Sequence, residues 1–483
     1  MYIDGKWVAA EGGASQALPN PATEQVFGHA PEAGDADMQR AIAAARRSFD
    51  AGVWRRRPVE ERARVLEALA EGLERRRAEL CEILIGAHGC EQVTFGVNVD
   101  DPIAFLRRYA EAARSFPLDR AVLPHIGVAP AVGLSSVISG LTHRQPVGVC
   151  GLIPTWNFPL FISINKLAPA LAMGCSVVVK PSPWGPLPDL LLAEILEQCD
   201  LPPGVFNVVT GSSASLGEAL VASPLVDMIG FTGSAGVGRR IMAAGAATLK
   251  RLHLELGGKS ALILLDDVDL DAAVGEATLA TYFRAGQACA LKTRVLVPRA
   301  QHDALVAKME AFVKSSVKLG DPADPAVLLG PLIRPERRDS VLALVESGRR
   351  EGAELVLGGR RPAQVERGWF VEPTIFANVR SGMRIAQEEI FGPVVCVMPY
   401  ADEADALRIA NDSAYGLSAG ILSRDTGRAI AVAKQIRTGQ VCINGGIHPS
   451  MPFGGFKQSG LGREMLEAGF ESFTELQSIS WAS

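Results

Sequence analysis

Apolar residues recur along the chain with two different spacings. Near the N-terminus they return every three to four positions and predict a helix that Asp35 caps and that runs through Met38 to Phe49. A second stripe of this kind predicts a helix that begins at Pro58, a favoured first helical position, and continues toward Leu84. The first part of the chain is therefore predicted to form amphipathic helices.

From residue 147 onward the pattern changes to short apolar runs bounded by Gly and Pro. Their length and β-branched content predict strands at 147–153, 176–180, 206–209, 226–230, 251–255, 260–265 and 294–298. Amphipathic stretches between them predict helices at 189–199, 270–284 and 300–314. This alternation predicts an α/β fold of two successive units, each with a mostly parallel sheet covered by helices.

The length of the chain leaves room for further structure. Its 483 residues predict about three domain-sized units, or two large ones with an elaborated connection. Two segments, 142–144 and 473–481, are strand-like beside helical neighbours. Two pairings fit these segments, one with each other and one with another subunit.

Composition and charge exclude several classes of protein. The chain is 48% hydrophobic and 21% charged, which is typical of a globular protein. Its net charge of −5 provides no basic surface for nucleic acid or for an anionic membrane. No segment predicts a transmembrane helix or a secretory signal. Eight scattered cysteines without a C-x-x-C pair predict reduced thiols in a cytoplasmic setting and no metal site.

Candidate chemistry begins at Cys289, which follows Gly286 and Gln287 between a predicted helix and a predicted strand. We expect this turn to expose the thiol and to lower its pKa, because the thiolate is favoured at loops and helix N-termini. A single cysteine among eight is, however, more often an inert small hydrophobic residue. The local sequence leaves both interpretations open.

Two further polar residues lie next to predicted strands. Glu255 precedes two glycines, and a carboxyl group in semi-apolar surroundings has a raised pKa that suits a general base. An exposed Glu paired with a Lys fits the same pattern. Asn157 opens a predicted helix, either to donate its amide N–H to a developing oxyanion or to act as an ordinary N-cap.

Three other segments are suited to ligand binding. The glycine-rich turn at 230–238 joins a strand to a helix, where backbone N–H groups and the helix dipole can hold a phosphate, and Lys180 adds a cation at the same sheet edge. Segment 388–393 fits either a ribose and a flat ring or a simple charged loop. The aromatic, glycine-rich loop at 452–460 either shapes a pocket or turns a corner.

Jointly and in this order, these segments resemble the motifs of the NAD(P)-dependent aldehyde dehydrogenase superfamily, from about Tyr2 to Trp481. The similar motifs lie at 156–159, 231–234, 254–259, 286–289, 389–393 and 452–455. The resemblance implies a Rossmann-like cofactor domain (1–123 and 147–254), an α/β catalytic domain (255–470) and a small β oligomerisation arm (124–146 and 471–483).

The resemblance also implies roles for individual residues. Cys289 matches the nucleophile, Glu255 the general base and Asn157 the oxyanion-hole side chain, while Glu464 matches a second carboxylate implicated in proton relay. The implied cofactor-binding residues are Ile153, Pro154, Thr155, Trp156, Lys180, Ser182, Pro183, Phe231, Thr232, Gly233, Ser234, Val237, Leu256, Gly257, Glu389 and Phe391. The expected substrate-binding residues are Phe158, Phe161 and Phe453.

The implied reaction oxidises an aldehyde to its acid with NAD(P)⁺, through a thiohemiacetal and a thioester on Cys289. Pro183 occupies a position where many NAD-preferring members carry Glu, and no Arg or Lys replaces it nearby in the sequence. We expect NAD as the coenzyme, with NADP as the alternative. Apolar residues near the entrance predict a medium-sized apolar or aromatic aldehyde, and we expect a homodimer or homotetramer.

Three alternative functions stay open. A simple thiol hydrolase would not explain the Gly233 turn, Lys180 or the segment at 389–391. A CoA-acylating semialdehyde dehydrogenase hands its acyl group to CoA and needs no carboxylate to activate water, so the presence of Glu255 favours hydrolysis. A catalytically inactive structural or binding relative is a different class of protein. The presence of all three residues Cys289, Glu255 and Asn157 argues against it.

Overall fold

The structure is a computed structural model that describes residues 1–129 and 134–482. Residues 130–133 and 483, which belong to the predicted oligomerisation arm, lie outside the described residues. The helices are α1 (Asp35–Ala51), α2 (Val59–Arg75), α3 (Arg77–His88), α4 (Asp101–Ser115), α5 (Pro159–Met173), α6 (Leu187–Leu196), α7 (Ala214–Ala222), α8 (Ala235–Gly245), α9 (Leu270–Tyr282), α10 (His302–Ser316), α11 (Pro335–Arg350), α12 (Arg384–Gln387), α13 (Glu403–Asn411), α14 (Thr426–Ala433) and α15 (Leu466–Ser472).

The strands alternate with these helices through most of the chain. They are β1 (Tyr2–Ile3), β2 (Lys6–Trp7), β3 (Ser15–Pro19), β4 (Val26–Pro31), β5 (Asp119–Ala129), β6 (Leu134–Pro146), β7 (Val149–Ile153), β8 (Ser176–Val179), β9 (Phe206–Val208), β10 (Met228–Thr232), β11 (Arg251–Glu255), β12 (Ala261–Leu264), β13 (Arg294–Pro298), β14 (Glu354–Leu357), β15 (Thr374–Ala377), β16 (Val394–Tyr400), β17 (Tyr415–Gly416), β18 (Ser418–Leu422), β19 (Gln440–Ile443), β20 (Phe456–Lys457), β21 (Gly460–Leu461) and β22 (Thr474–Ala482). The predicted α/β class is confirmed.

The first sheet has the strand order β2-β1-β9-β8-β7-β10-β11-β21. Strands β9, β8, β7, β10 and β11 are parallel, and α5 to α8 connect them in turn. Val177 and Val179 of β8 pack into one hydrophobic core, while Val178 packs into another on the opposite face. Because both faces are covered, β8 is apolar at every position after Ser176, as is typical of buried parallel strands.

The second α/β unit is built on a separate sheet with the order β14-β15-β16-β13-β12-β18-β19. All neighbouring pairs from β15 to β19 are parallel, and β14 joins the edge antiparallel. The predicted arrangement of two successive units with mostly parallel sheets is therefore confirmed.

A third sheet pairs β22 with β6 and β6 with β5. Thr142 lies opposite Ser478 and Arg144 opposite Leu476, so the two strand-like segments pair with each other. The strand around 142–144 is longer than predicted and spans Leu134–Pro146. None of the helices in the described ranges is long and apolar enough to cross a bilayer.

Three predicted helix boundaries are wrong. Gly34, not Asp35, is the N-cap of α1, because the Asp37 carboxylate accepts the Gly34 N–H (3.0 Å). The helix predicted from Pro58 to Leu84 is divided at Arg76, because the backbone of Arg76 departs from helical geometry. The Arg76 guanidinium pairs there with Glu79 and Glu194. The helix predicted to reach residue 284 ends at Tyr282, because residues 284 and 285 have left-handed dihedrals.

Candidate active site

Four parallel strands of the first sheet end at one cavity of about 630 Å³. Ile153 ends β7, Lys180 follows β8, Thr232 ends β10 and Glu255 ends β11, and all four line the cavity. Open parallel sheets bind ligands at the carboxyl ends of their strands, and this volume is that of a ligand pocket. Cys289 reaches the cavity from the second α/β unit.

The cavity brings together most of the predicted site residues. Cys289, Glu255, Asn157 and every predicted cofactor-binding residue except Val237 line it. The backbone N–H of Val237 donates to the Ser234 hydroxyl (3.4 Å) and so belongs to the cap of α8.

The predicted substrate-binding residues Phe158, Phe161 and Phe453 are not among the residues that line the described cavity. Phe158 stacks on Phe283, with ring centroids 6.2 Å apart. Phe161 packs edge-on against Phe105 in the helical core, at 5.7 Å. Phe453 pairs with Glu464 through backbone hydrogen bonds. Their substrate role stays a prediction.

The loop before Cys289 is held in place by buried polar side chains. Arg284 adopts a left-handed backbone conformation (φ 56°), and its buried guanidinium donates to the carbonyls of His88 (2.6 Å) and Asn157 (3.3 Å). The Gln287 amide donates to the Pro331 carbonyl (3.2 Å). Strained backbone at a site of this kind needs such support, since it costs about 1–3 kcal/mol per residue.

Asn157 is linked directly to that loop. Its Nδ2 donates to the Gln287 carbonyl at 2.9 Å, and its side chain is buried. A primary amide carries two N–H groups, and this hydrogen bond uses one of them. Since Asn157 also lines the cavity, its second N–H is available for an oxygen bound beside Cys289. Asn157 is not the helix cap, because Phe158 is the N-cap of α5. Its role as an oxyanion donor stays a prediction.

Glu255 is buried at the end of β11, with 2% of its surface exposed. Burial raises its pKa well above the usual range, the neighbouring Glu464 carboxylate raises the pKa further, and Lys166 and Arg463 oppose this shift. The turn after Glu255 passes so close to the nucleophile loop that a Cβ on Gly258 would lie 2.6 Å from the Cys289 carbonyl oxygen. Only glycine allows this approach.

The pKa of the Cys289 thiol is raised, contrary to the expectation that the turn would lower it. Desolvation by burial is the largest cause, and the carboxylates of Glu255, Glu389 and Glu464 add to it. The Cys289 residue is nonetheless partly exposed, and it lines the cavity. Burial and the nearby carboxylates therefore favour the protonated thiol over the thiolate.

One end of the cavity carries an aromatic and acidic wall. Glu389 accepts the Gly258 N–H (3.1 Å), and burial raises the pKa of Glu389 to about 7. Phe391 meets Trp156 edge-to-face at 5.6 Å. A flat ring and a carboxylate at this position suit a nicotinamide ring and its ribose.

The other end suits phosphate and adenosine groups. Ser234 caps α8, whose N-terminal residues line the cavity, and the Gly233 N–H donates to the Glu255 carbonyl (2.9 Å). A helix N-terminus of this kind binds anions. Lys180 donates to the Gly211 carbonyl (3.1 Å), and burial lowers its pKa to about 8. The residues present therefore fit a dinucleotide.

Sequence reasoning missed two cations in this cavity. Arg334 lies over the Trp184 ring, 4.3 Å from its centroid, and Arg337 lies over the Phe391 ring at 5.8 Å. The expectation that no Arg or Lys replaces the acidic residue near Pro183 holds along the sequence, but in space Arg334 contacts the adjacent Trp184. The sequence of residues 334–338 is typical of a charged helix N-terminus, and nothing in it predicts a contact with the segment that follows β8.

A thiol and a buried carboxyl group beside a dinucleotide-sized cavity at a parallel sheet edge are typical of nicotinamide-dependent oxidoreductases. The chain belongs to the aldehyde dehydrogenase family, whose model matches residues 7–479. The predicted class, an NAD-dependent aldehyde dehydrogenase that oxidises an aldehyde to its acid, is confirmed.

Relatives and solved structures agree with this membership. The chain is 41% identical to 3-succinoylsemialdehyde-pyridine dehydrogenase of a Pseudomonas species, covering 99% of this chain and 98% of the relative. It is 40% identical to geranial dehydrogenase of Castellaniella defragrans, with 99% and 98% covered. Mycobacterium tuberculosis aldehyde dehydrogenase, solved with NAD⁺, has a TM-score of 0.94 and 40% identity, with 99% and 96% covered.

Proposed function

We propose that this enzyme oxidises its aldehyde through a covalent intermediate on Cys289, with Asn157 as oxyanion donor and Glu255 as general base. The observation that carries the proposal is that these three side chains line one cavity together with the Gly233 turn. A nucleophile, a proton acceptor and aimed N–H groups are what acyl chemistry on a thiol requires.

In the first half-reaction Cys289 loses its proton to solvent water in the cavity, and the thiolate sulfur forms a bond to the carbonyl carbon. The resulting oxyanion accepts hydrogen bonds from Asn157 Nδ2 and from the Cys289 backbone N–H. When bound, the coenzyme supplies a nicotinamide ring that accepts the hydride from this carbon. The oxyanion then re-forms its C=O bond, and a thioester stays on Cys289.

In the second half-reaction Glu255 takes a proton from water as the oxygen of that water adds to the thioester carbon. The tetrahedral adduct expels the Cys289 thiolate, and the carboxylic acid leaves. The raised pKa of Glu255 suits this role, because a base whose pKa approaches the working pH is strong enough to accept the proton. The presence of Glu255 also favours hydrolysis of the thioester over transfer of its acyl group to CoA, because only hydrolysis needs a base that activates water.

Coenzyme binding is assigned to the two ends of the cavity. Glu389 and Phe391 would hold the nicotinamide ribose and ring, and the N-terminus of α8 behind Ser234 would hold the pyrophosphate. Lys180 would bind the adenosine ribose. Val237 supports the cap of α8 rather than contacting the coenzyme.

We propose that NADP is accepted as well as NAD. Trp184 and Arg334 line the adenosine end, where no acidic side chain follows β8 between residues 180 and 184. An acidic residue after the second strand of such a sheet selects NAD, and a nearby Arg accommodates the 2′-phosphate of NADP. Glu336 lies 4.0 Å from Arg334 and partly offsets its charge.

The substrate is proposed to be a medium-sized apolar or aromatic aldehyde. Phe158 directly follows Asn157 and stacks on Phe283, which precedes the nucleophile loop, so apolar rings flank the reacting groups. Ile447 and Met451 add exposed apolar side chains on the loop after β19. A panel of apolar, aromatic and charged aldehydes tests this, and activity confined to charged semialdehydes would contradict it.

The chain is proposed to form a homodimer or homotetramer in the cytoplasm. The proposed division is a cofactor domain (1–123 and 147–254), a catalytic domain (255–470) and an arm (124–146 and 471–483), with β21 crossing from the catalytic range to join the first sheet. Strands β5, β6 and β22 of the arm expose apolar side chains such as Leu123, Leu476 and Trp481, which suit a subunit contact. The cysteines of the chain are free thiols, in keeping with a reducing compartment.

The experiment that tests the function measures NADH and acid formation from an aldehyde with and without CoA. We expect one acid per NADH without CoA. A strict requirement for CoA, with acyl-CoA as the product, would identify the acylating alternative. Formation of acid without reduction of coenzyme would identify a thiol hydrolase instead.

A further inference from the structure

His253 lies two residues before Glu255 on β11. Side chains at i and i+2 of a strand point to the same face, so both extend from the same side of the sheet. His253 is 1% exposed, and Glu464 (4% exposed) lies beyond it. The three residues form a buried row that begins at the proposed general base.

The imidazole of His253 lies within 4 Å of a carboxyl group on each side, slightly beyond hydrogen-bond distance. His253 Nε2 lies 3.7 Å from Glu255 Oε1, and His253 Nδ1 lies 3.9 Å from Glu464 Oε2. The same Glu464 oxygen accepts from Lys166 Nζ at 2.9 Å. The imidazole therefore lies between two carboxyl groups and uses a different nitrogen toward each.

Several buried polar atoms in this row have no hydrogen-bond partner in the part of the chain that the structure describes, which indicates a functional role beyond packing. Within the described residues, both ring nitrogens of His253 and both carboxyl oxygens of Glu255 are buried without a hydrogen-bond partner. Buried polar groups are nearly always paired, because leaving one unpaired costs about 1–3 kcal/mol. A ring movement of under an ångström would convert the 3.7 Å approach into a hydrogen bond.

The surroundings keep the imidazole neutral. Lys166 of α5 and Arg463 face His253 as cations, Glu255 and Glu464 face it as carboxyl groups, and burial with the two cations lowers the pKa of His253 well below its usual range. A neutral imidazole donates from one nitrogen and accepts at the other. A Cβ on residue 462 would come within 2.6 Å of the ring, so Gly462 leaves the imidazole its space.

We propose that His253 is a positioning residue that aligns Glu255 and passes its proton to Glu464. This inference rests on the proposed role of Glu255. After Glu255 has taken a proton from water, it gives that proton to His253 Nε2, and His253 Nδ1 releases its own proton to the Glu464 carboxylate. Glu255 is thereby ionised again, and Glu464, held by Lys166, loses the proton to solvent water. A rotation of the imidazole ring by half a turn then brings its unprotonated nitrogen back toward Glu255 for the next turnover.

The test compares His253→Gln with wild type in rapid-mixing and steady-state assays of the full-length enzyme. Gln makes one donor and one acceptor contact but cannot exchange tautomers. We expect the initial NADH burst to keep its rate, while steady-state turnover falls about tenfold or more. Turnover is also measured in mixtures of H₂O and D₂O. A plot of the wild-type turnover rate against the fraction of D₂O should be curved, because several protons move in the rate-limiting step. The same plot for the variant should be linear.

Two controls separate the possible outcomes. Glu255→Gln, measured alongside, must slow steady-state turnover while keeping the burst; if it does not, the proposed function fails. If Glu255→Gln behaves as stated but His253→Gln keeps wild-type turnover and a curved deuterium dependence, the inference on His253 alone is overturned. An equal loss of burst and turnover in His253→Gln would also overturn it, since that indicates general disruption. Because the two residues act in series, Glu464→Gln added to His253→Gln should slow turnover little further.

Discussion

The side-chain Nδ2 of Asn157 donates to the main-chain carbonyl of Gln287 at 2.9 Å, two residues before Cys289. The proposed oxyanion donor is thus fastened to the loop that carries the proposed nucleophile. Arg284 adds a second link, because its guanidinium donates to the Asn157 carbonyl. The relative position of sulfur and amide is therefore set by hydrogen bonds between the two α/β units.

Replacing Asn157 with Ala should lower kcat about 10²- to 10³-fold, the usual effect of removing one oxyanion donor. The Kd for NAD⁺, measured by fluorescence quenching, should change little. Asn207→Ala is the matched control, because Asn207 is a buried Asn of the same sheet that binds only main-chain groups and lies outside the cavity. The control should lower thermal stability and leave kcat near wild type; similar kcat losses in both variants would contradict the assignment.

Replacing Glu255 with Gln should separate the two halves of the reaction. The NADH burst should persist, whereas later turnovers should slow about 100-fold or more, because no base activates water. Stopped-flow absorbance at 340 nm measures both phases. A variant that turns over at the wild-type rate after the burst would exclude Glu255 as the base of hydrolysis.

The raised pKa of Cys289 predicts a distinctive pH dependence of alkylation. Iodoacetamide reacts with the thiolate, so its rate should keep rising above the ordinary thiol pKa of about 8.5. Glu255→Gln should move the midpoint to lower pH, since it removes a negative charge that raises this pKa. Mass spectrometry of the Cys289 peptide, with Cys289→Ala as background, follows the reaction. A midpoint that moves upward would contradict the electrostatic account.

The preference between NAD⁺ and NADP⁺ should depend on Arg334 and on the absence of an acidic side chain at position 183, where this chain has Pro183. Arg334→Gln should lower kcat/KM for NADP⁺ about tenfold, equal to about 1.4 kcal/mol, and leave NAD⁺ nearly unchanged. Pro183→Glu should do the same, because its carboxylate repels a 2′-phosphate. Arg360→Gln is a control for loss of a cation, since Arg360 pairs with Glu372 outside the cavity. Equal losses for both coenzymes would contradict a 2′-phosphate role.

Most of the site was predictable from the sequence because its residues lie at strand ends. Glu255 ends β11 and the Gly233 turn follows β10, so a parallel sheet brings them to one edge without further information. The place of Cys289 between a helix and a strand left an inert thiol open as well, and its assignment as nucleophile came from the resemblance to the aldehyde dehydrogenase motifs.

Other features depend on segments that are distant in sequence. The raised pKa of Cys289 comes from burial and from carboxylates at 255, 389 and 464, which no local pattern places around it. Arg334 reaches Trp184 only through the packing of the two units. The contact of Phe161 with Phe105 also depends on the packing of distant helices, and the substrate role of Phe161 stays a prediction.

The most direct test of the central claim is intact-protein and peptide mass spectrometry of Glu255→Gln, quenched after mixing with NAD⁺ and an aldehyde substrate. We predict a mass increase equal to the acyl group, located on the peptide that contains Cys289 and absent from a Cys289→Ala variant. Turnover of the aldehyde with no acyl adduct, or with the adduct on another residue, would contradict covalent catalysis by Cys289.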